Sequence, residues 1–73
     1  MPETRKIEIK TDFIKLDQLL KYSGLIITGG SAKDAVIGGA VLVNGMPCLM
    51  RGKKIRSGDT IFYDGVTIEV TGP

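Results

Sequence analysis

Between Thr60 and Val70 the chain spells out a β-hairpin, and this limits the fold more than any other stretch. Thr60-Ile61-Phe62-Tyr63 and Val66-Thr67-Ile68-Glu69-Val70 flank Asp64-Gly65. That dipeptide suits a two-residue turn whose central positions need a left-handed backbone. A two-residue turn fixes the register, with Tyr63 opposite Val66 and Ile61 opposite Ile68. Ile61, Tyr63, Val66, Ile68 and Val70 then share one face, and Thr60, Phe62, Thr67 and Glu69 share the other. One face is apolar and the other mostly polar, so a single-sided sheet needs something to cover it.

The residues before the hairpin supply that cover. Ile7 to Thr11 alternates apolar and polar side chains and reads as a half-buried strand. Thr11-Asp12 offers helix-capping chemistry, and Phe13, Leu16, Leu19 and Leu20 follow at helical spacing. An amphipathic helix is expected over residues 13–23, stopped by Gly24. Leu25-Ile26-Ile27 reads as a buried linker and Thr28 to Ser31 as a turn. Ser31 with Asp34 resembles a capping box for a second, shorter helix carrying Ala32, Ala35 and Val36. Gly38-Gly39 ends it. Val41 to Val43 runs into Asn44-Gly45, a second tight-turn signal, and Pro47 just beyond can occupy only a strand start or a sheet edge. The expected fold class is α+β: two short helices packed on a small antiparallel sheet, as one domain over residues 1–73.

At 73 residues the chain sits near the lower limit for a self-sufficient core, so it is expected to act through its surface rather than a deep cleft. The apolar runs are too short to span a membrane. The N-terminal Met-Pro-Glu-Thr-Arg lacks the apolar centre of a secretory leader. Cys48 is the single cysteine, so no intramolecular disulfide can form, and it is expected to serve as a small hydrophobe. A reducing cytoplasm is the expected setting. The net charge is only +2, but it is unevenly spread. Residues 46–58 hold Arg51, Lys53, Lys54 and Arg56 and no acid, whereas residues 59–73 hold three acids and no base. A positive charge concentrated in so short a segment suits a polyanion.

The residue inventory argues against catalysis. There is no His, the commonest general base and metal ligand. One Cys without a His makes a poor thiol catalyst, and the carboxylates are scattered over different elements. Gly29-Gly30-Ser31-Ala32-Lys33 has the wrong spacing for a nucleotide-phosphate loop. No enzymatic activity, cofactor, metal or small-molecule substrate is expected. A ubiquitin-like carrier is not expected either, because the sequence ends Thr71-Gly72-Pro73 rather than Gly-Gly.

From Lys15 to Asp59 the chain resembles the S4 RNA-binding domain. The family pattern opens with a basic residue followed by Leu-Asp, here Lys15-Leu16-Asp17. A helix with small residues then leads to Gly39-Ala40-Val41-Leu42-Val43-Asn44-Gly45, similar to the Gly-x-Val-x-Val-Asn-Gly signature of the family. A basic patch and a Gly-Asp turn come next, here Arg51 through Asp59. No one of these pieces is specific, but their order and spacing are. The Gly29–Lys33 stretch looks most like short stand-alone bacterial S4-like proteins. The resemblance implies an S4-like fold, the alpha-L RNA-binding motif, and structured RNA as partner. Ribosomal RNA and tRNA both suit it, and the stand-alone relatives suggest ribosome assembly or quality control, with the ribosome or a ribosomal protein as a further partner. Two departures lower the positive surface: Gly29 and Gly30 stand where many relatives carry Arg or Lys, and Met46 to Met50 is apolar where relatives are often polar.

The candidate RNA-binding residues follow from the resemblance and from the charge pattern together. Arg51, Lys53, Lys54 and Arg56 repel one another and gain from a shared anion, although solvated basic loops are common. The resemblance adds Lys15 and Lys33, which taken alone read rather as solvated lysines. Gly29, Gly30 and Ser31 precede the second helix, where backbone amides offer an anion site and glycines permit close approach; a plain turn is the competing reading. Tyr22 falls off the Leu stripe and Phe62 on the polar hairpin face, so each offers a surface on which a base could stack. For Phe62, packing against the N-terminal strand or a second core side is the favoured fate. Asn44 and Gly45 read as turn residues and Asp17 as a local hydrogen-bond acceptor. The rival to RNA binding is a protein-interaction module that docks through an apolar patch at Met46, Leu49 and Met50.

Overall fold

The computed structural model describes residues 3–72; Met1, Pro2 and Pro73, which figure in the expectations about the two chain ends, lie outside the described residues. Seven strands and two helices follow in the order β1 (Glu3–Glu8), β2 (Ile14–Lys15), α1 (Leu16–Tyr22), α2 (Gly29–Ile37), β3 (Leu42–Val43), β4 (Met46–Pro47), β5 (Lys54–Ile55), β6 (Thr60–Tyr63) and β7 (Val66–Thr71). Five strands form one mixed sheet in the order β1-β7-β6-β3-β4, and β2 pairs with β5 in a separate ribbon.

The β6–β7 hairpin has the register that its turn dictates, with Tyr63 opposite Val66 and Ile61 opposite Ile68. Asp64 and Gly65 both take the left-handed backbone, with φ of 52° and 77°. Ile61, Ile68, Val66 and Val70 are buried on the inner face. Asn44-Gly45 turns β3 into β4 in the same way, and Pro47 lies on the sheet edge, where a missing N–H costs nothing.

The α+β class holds, with one departure in the sheet: β1 joins β7 in parallel, Glu3 beside Val66 through Glu8 beside Thr71. The cause is the two helices, which carry the chain from the end of β1 back across the core, the crossover a parallel neighbour needs. Arg5 and Ile7 share the inner face with Ile68 and Val70. The Arg5 guanidinium pairs with Glu3 and donates from Nη1 to the Ser23 carbonyl at 2.8 Å, tying β1 to the end of α1. At the far end Gly72 lies against Ile9, where an added Cβ would meet the Ile9 carbonyl oxygen at 2.5 Å.

One core joins helices, sheet and ribbon. Leu16, Leu19 and Leu20 of α1, Ala32 and Val36 of α2, Ile55 of the ribbon and Ile61 and Ile68 of the hairpin are all inaccessible to solvent. Ala32 and the half-buried Ala35 let α2 approach closely.

Three local expectations are corrected. The first helix begins at Leu16, not at residue 13, because Ile14 and Lys15 are extended and hydrogen-bonded to β5; the long-range pairing outweighs the cap that Thr11-Asp12 offers. The second helix begins at Gly29, capped by Thr28 rather than Ser31. The Thr28 Oγ1 accepts from the Ser31 N–H at 3.2 Å, and this cap, with burial of Ala32 and Val36, outweighs the weak helix propensity of Gly29 and Gly30. In the linker, Ile26 is buried but Ile27 is 90% exposed. Gly24 and Gly38-Gly39 end the helices as expected.

Candidate nucleic-acid interface

The basic segment is not a free loop. Ile55, the one apolar residue between Gly52 and Ser57, is fully buried and pairs with Ile14 across the β2–β5 ribbon. Successive strand residues point to opposite faces, so turning this pair inward, Ile55 buried and Ile14 partly so, turns the next pair, Lys15 and Lys54, outward. Lys15 and Lys54 are direct cross-strand partners. Like charges placed opposite one another are destabilising, and Ile14 and Ile55 hold them there.

The same ribbon solves the capping problem of α1. Lys15, at the N-cap position, offers no side-chain acceptor, so the first-turn amides need partners from elsewhere. The Leu16 N–H donates to the Lys53 carbonyl at 2.9 Å and the Asp17 N–H to the Arg51 carbonyl at 3.1 Å. Residues 51–54 are thereby fastened along the start of α1, beside Lys15. Asp17 acts locally, its Oδ1 accepting from the Gln18 N–H at 2.8 Å. Lys54 Nζ lies 4.9 Å from the centroid of the Phe13 ring, a cation–π contact that holds one of the cations in place.

Beyond the ribbon, Asp59 Oδ2 accepts from the backbone N–H of Arg56 at 2.8 Å, and its Oδ1 accepts from Asn44 Nδ2 at 3.2 Å. Asn44 Oδ1 in turn accepts from the Thr60 N–H at 2.9 Å. Asn44 is therefore more than a turn residue: it fastens the β3–β4 turn to the turn that ends the basic segment. Among the described residues, Arg5–Glu3 is the one ion pair. Lys15, Lys33, Arg51, Lys53, Lys54 and Arg56 are all exposed, and none is paired with a carboxylate of the described residues.

The fold thus brings Lys15 together with the Arg51–Arg56 segment. Lys33 and Gly29–Ser31 stand on α2, and among the described residues no hydrogen bond or ion pair links them to the ribbon. The Ser31 N–H is already taken by the Thr28 cap, which removes one of three amides from an anion site there. Tyr22 is 66% exposed at the end of α1. Phe62 does not pack against the N-terminal strand, because β7 lies between β6 and β1; it sits on the open sheet face between Thr67 and Leu42, partly exposed. Sequence reasoning missed Phe13 as the platform under Lys54 and the opposition of Lys15 to Lys54. The faint signal for both was Ile55, a lone apolar residue in a basic run.

The chain matches the S4 domain family over residues 7–71. It belongs to that family. The match extends well beyond the Lys15–Asp59 stretch whose motifs point to it. The S4 domain here is also similar to a probable ribosome maturation protein, RlbA, of Bacillus subtilis (strain 168), with 41% identity over 59 residues, 81% of this chain and 83% of that protein. Family and relative together support RNA binding and a ribosome-related role. Among the described residues no helix is long and apolar enough to cross a membrane.

Proposed function

We propose that this S4 domain binds structured RNA, ribosomal RNA foremost, through the β2–β5 ribbon, as a cytoplasmic, non-catalytic factor in ribosome maturation. The observation that carries the reading is the set of unpaired cations at one place: Lys15 opposite Lys54, with Arg51, Lys53 and Arg56 on the same anchored segment. Such a cluster neutralises phosphates and releases their counterions on binding. Double-stranded RNA is recognised largely by shape and backbone contacts, which needs placed cations and no pocket. Lys33, with the first turn of α2 at Gly29, Gly30 and Ser31, is the second contact in this reading. The name of the Bacillus relative supports the ribosomal setting; tRNA is the other structured RNA that the same surface suits.

The test is a fluorescence-anisotropy titration with a structured ribosomal RNA fragment, at low and near-physiological salt. Micromolar or tighter binding at low salt is expected, weakening steeply as salt rises. A triple variant, Lys53→Glu with Lys54→Glu and Arg56→Glu, should lose about tenfold or more in affinity and show a shallower salt dependence, with the fold intact and a thermal midpoint no lower than the parent's. A variant that binds as tightly as the parent would refute the assignment of the ribbon. Absence of any binding at low salt would favour the second reading, a protein-docking module, which draws on the exposure of Met46, Leu49 and Met50.

A further inference from the structure

Beside the ribbon lies an open groove of about 420 Å³, walled by Met46, Leu49, Met50 and Cys48, with Asn44 and Lys53 at its polar rim. Met46, Leu49 and Met50 are 72%, 60% and 67% exposed, so three large apolar side chains meet water within five residues of sequence. Their backbone is anchored. The Cys48 N–H donates to the Val41 carbonyl at 3.1 Å, and the Lys53 N–H donates to the Met50 carbonyl at 3.0 Å. The exposure is therefore held in place by the fold.

We propose that this groove seats one unpaired nucleobase of the RNA whose phosphates the ribbon holds; the inference rests on the RNA-binding reading above. Charge selects the occupant. Lys53 belongs both to the groove and to the acid-free segment 46–58, whose four cations have no carboxylate partner among the described residues. A ligand that enters the groove meets that positive field at once, so it should carry an anion directly attached to an apolar face, as a nucleotide does. Size points the same way. The volume lies in the range of a site for a small planar group, and a stable protein interface needs a far larger contiguous surface. The thioethers of Met46 and Met50 are polarisable and adapt to an aromatic face. Unpaired bases are the parts of an RNA that can be splayed out and buried in this way. Asn44 spends its side-chain amide on Asp59 and Thr60, so the groove reads the shape of an extruded base and not its identity.

The experiment compares two RNA hairpins with the same stem, one fully paired and one with a single-nucleotide bulge carrying 2-aminopurine. The bulged RNA should bind about tenfold tighter, and the 2-aminopurine emission should change on binding as the base leaves its stack. The double variant Leu49→Ser with Met50→Ser should keep the parent's affinity and salt dependence for the paired stem, keep its thermal transition, and lose the preference for the bulge. Equal binding of both RNAs by the parent, or a preference that survives in the double variant, would overturn the inference and leave the groove to a protein partner. Failure to bind either RNA at low salt would instead overturn the RNA-binding reading, and this inference with it.

Discussion

Two of the antiparallel strand pairs, β6–β7 and β2–β5, make opposite use of the same geometry. In the β6–β7 hairpin, adjacent strands are joined by a two-residue turn, and the opposed pair Ile61 and Ile68 is fully buried. In the β2–β5 ribbon, the strands are some forty residues apart in sequence, and only one of the two opposed pairs is apolar. The other pair sets Lys15 against Lys54. The hairpin is all stabilisation: local closure, matched faces, apolar partners. The ribbon joins one stabilising pair to one destabilising pair, and a cluster of like charges held by a buried isoleucine suits an anionic partner. If the proposed interface holds, stability and RNA binding fall to different ribbons, and the two can be perturbed separately.

The sharpest separation should come from the hairpin. Ile68→Ala removes a fully buried side chain from the centre of the core, at a cost of roughly 2–5 kcal/mol. In a domain of this size each kcal/mol lowers the midpoint by about 4–8 °C, so thermal unfolding followed by circular dichroism should shift by about 10 °C or more. RNA affinity, measured where the variant is still folded, should match the parent. A loss of affinity as large as that of the triple charge reversal would mean that the two ribbons are not independent.

A smaller effect, felt in both regions, is expected at Asn44. Its side chain accepts from the Thr60 N–H at the start of β6 and donates to Asp59, whose other oxygen holds the Arg56 N–H. Its backbone is also left-handed, with φ of 52°, a conformation that Asn tolerates better than Ala. Asn44→Ala should therefore cost about 1–3 kcal/mol and loosen the end of the basic segment. Both the thermal midpoint and the RNA affinity should fall, the affinity by severalfold. A midpoint that falls while affinity holds would show that Arg56 needs no such anchoring to contribute.

The contrast between the ribbons also explains what can be read from the chain alone. The hairpin is legible to the residue, since Asp64-Gly65 sets its register locally and the alternation of Ile61, Tyr63, Val66 and Ile68 agrees with it. The β2–β5 ribbon is not. Each strand is two residues long, too short for a periodicity, and its pairing is decided by where α1 and α2 carry the chain. For the same reason local signals misplace the helix start: Thr11-Asp12 offers a cap, but tertiary pairing of Ile14 and Lys15 takes the backbone first. Thr28 is a weak signal for a cap because two glycines follow it, and local propensity does not weigh the burial of Ala32 and Val36. The basic segment is legible as charge but not as geometry. That Lys15 joins it depends on contacts between residues far apart in sequence.

The finest test of the comparison acts on the opposed lysines themselves. Lys15→Glu would place an acid directly across from Lys54 and at the N-cap of α1. Exchanging a like-charged cross-strand pair for an opposite one contributes on the order of 0.2–1 kcal/mol, and a negative charge at a helix start adds to it with the same sign. The variant should therefore be more stable than the parent, by a few degrees in midpoint. Removing one cation and adding an acid should meanwhile weaken RNA binding and make its salt dependence shallower. Opposite signs from one substitution are what a site built at the expense of stability produces. A solvated lysine with no role would raise the midpoint in the same way but leave the titration unchanged, so the anisotropy measurement decides between them. A lowered midpoint would mean that Lys15 and Lys54 do not face each other in solution, and the ribbon geometry would then fail with the interface built on it.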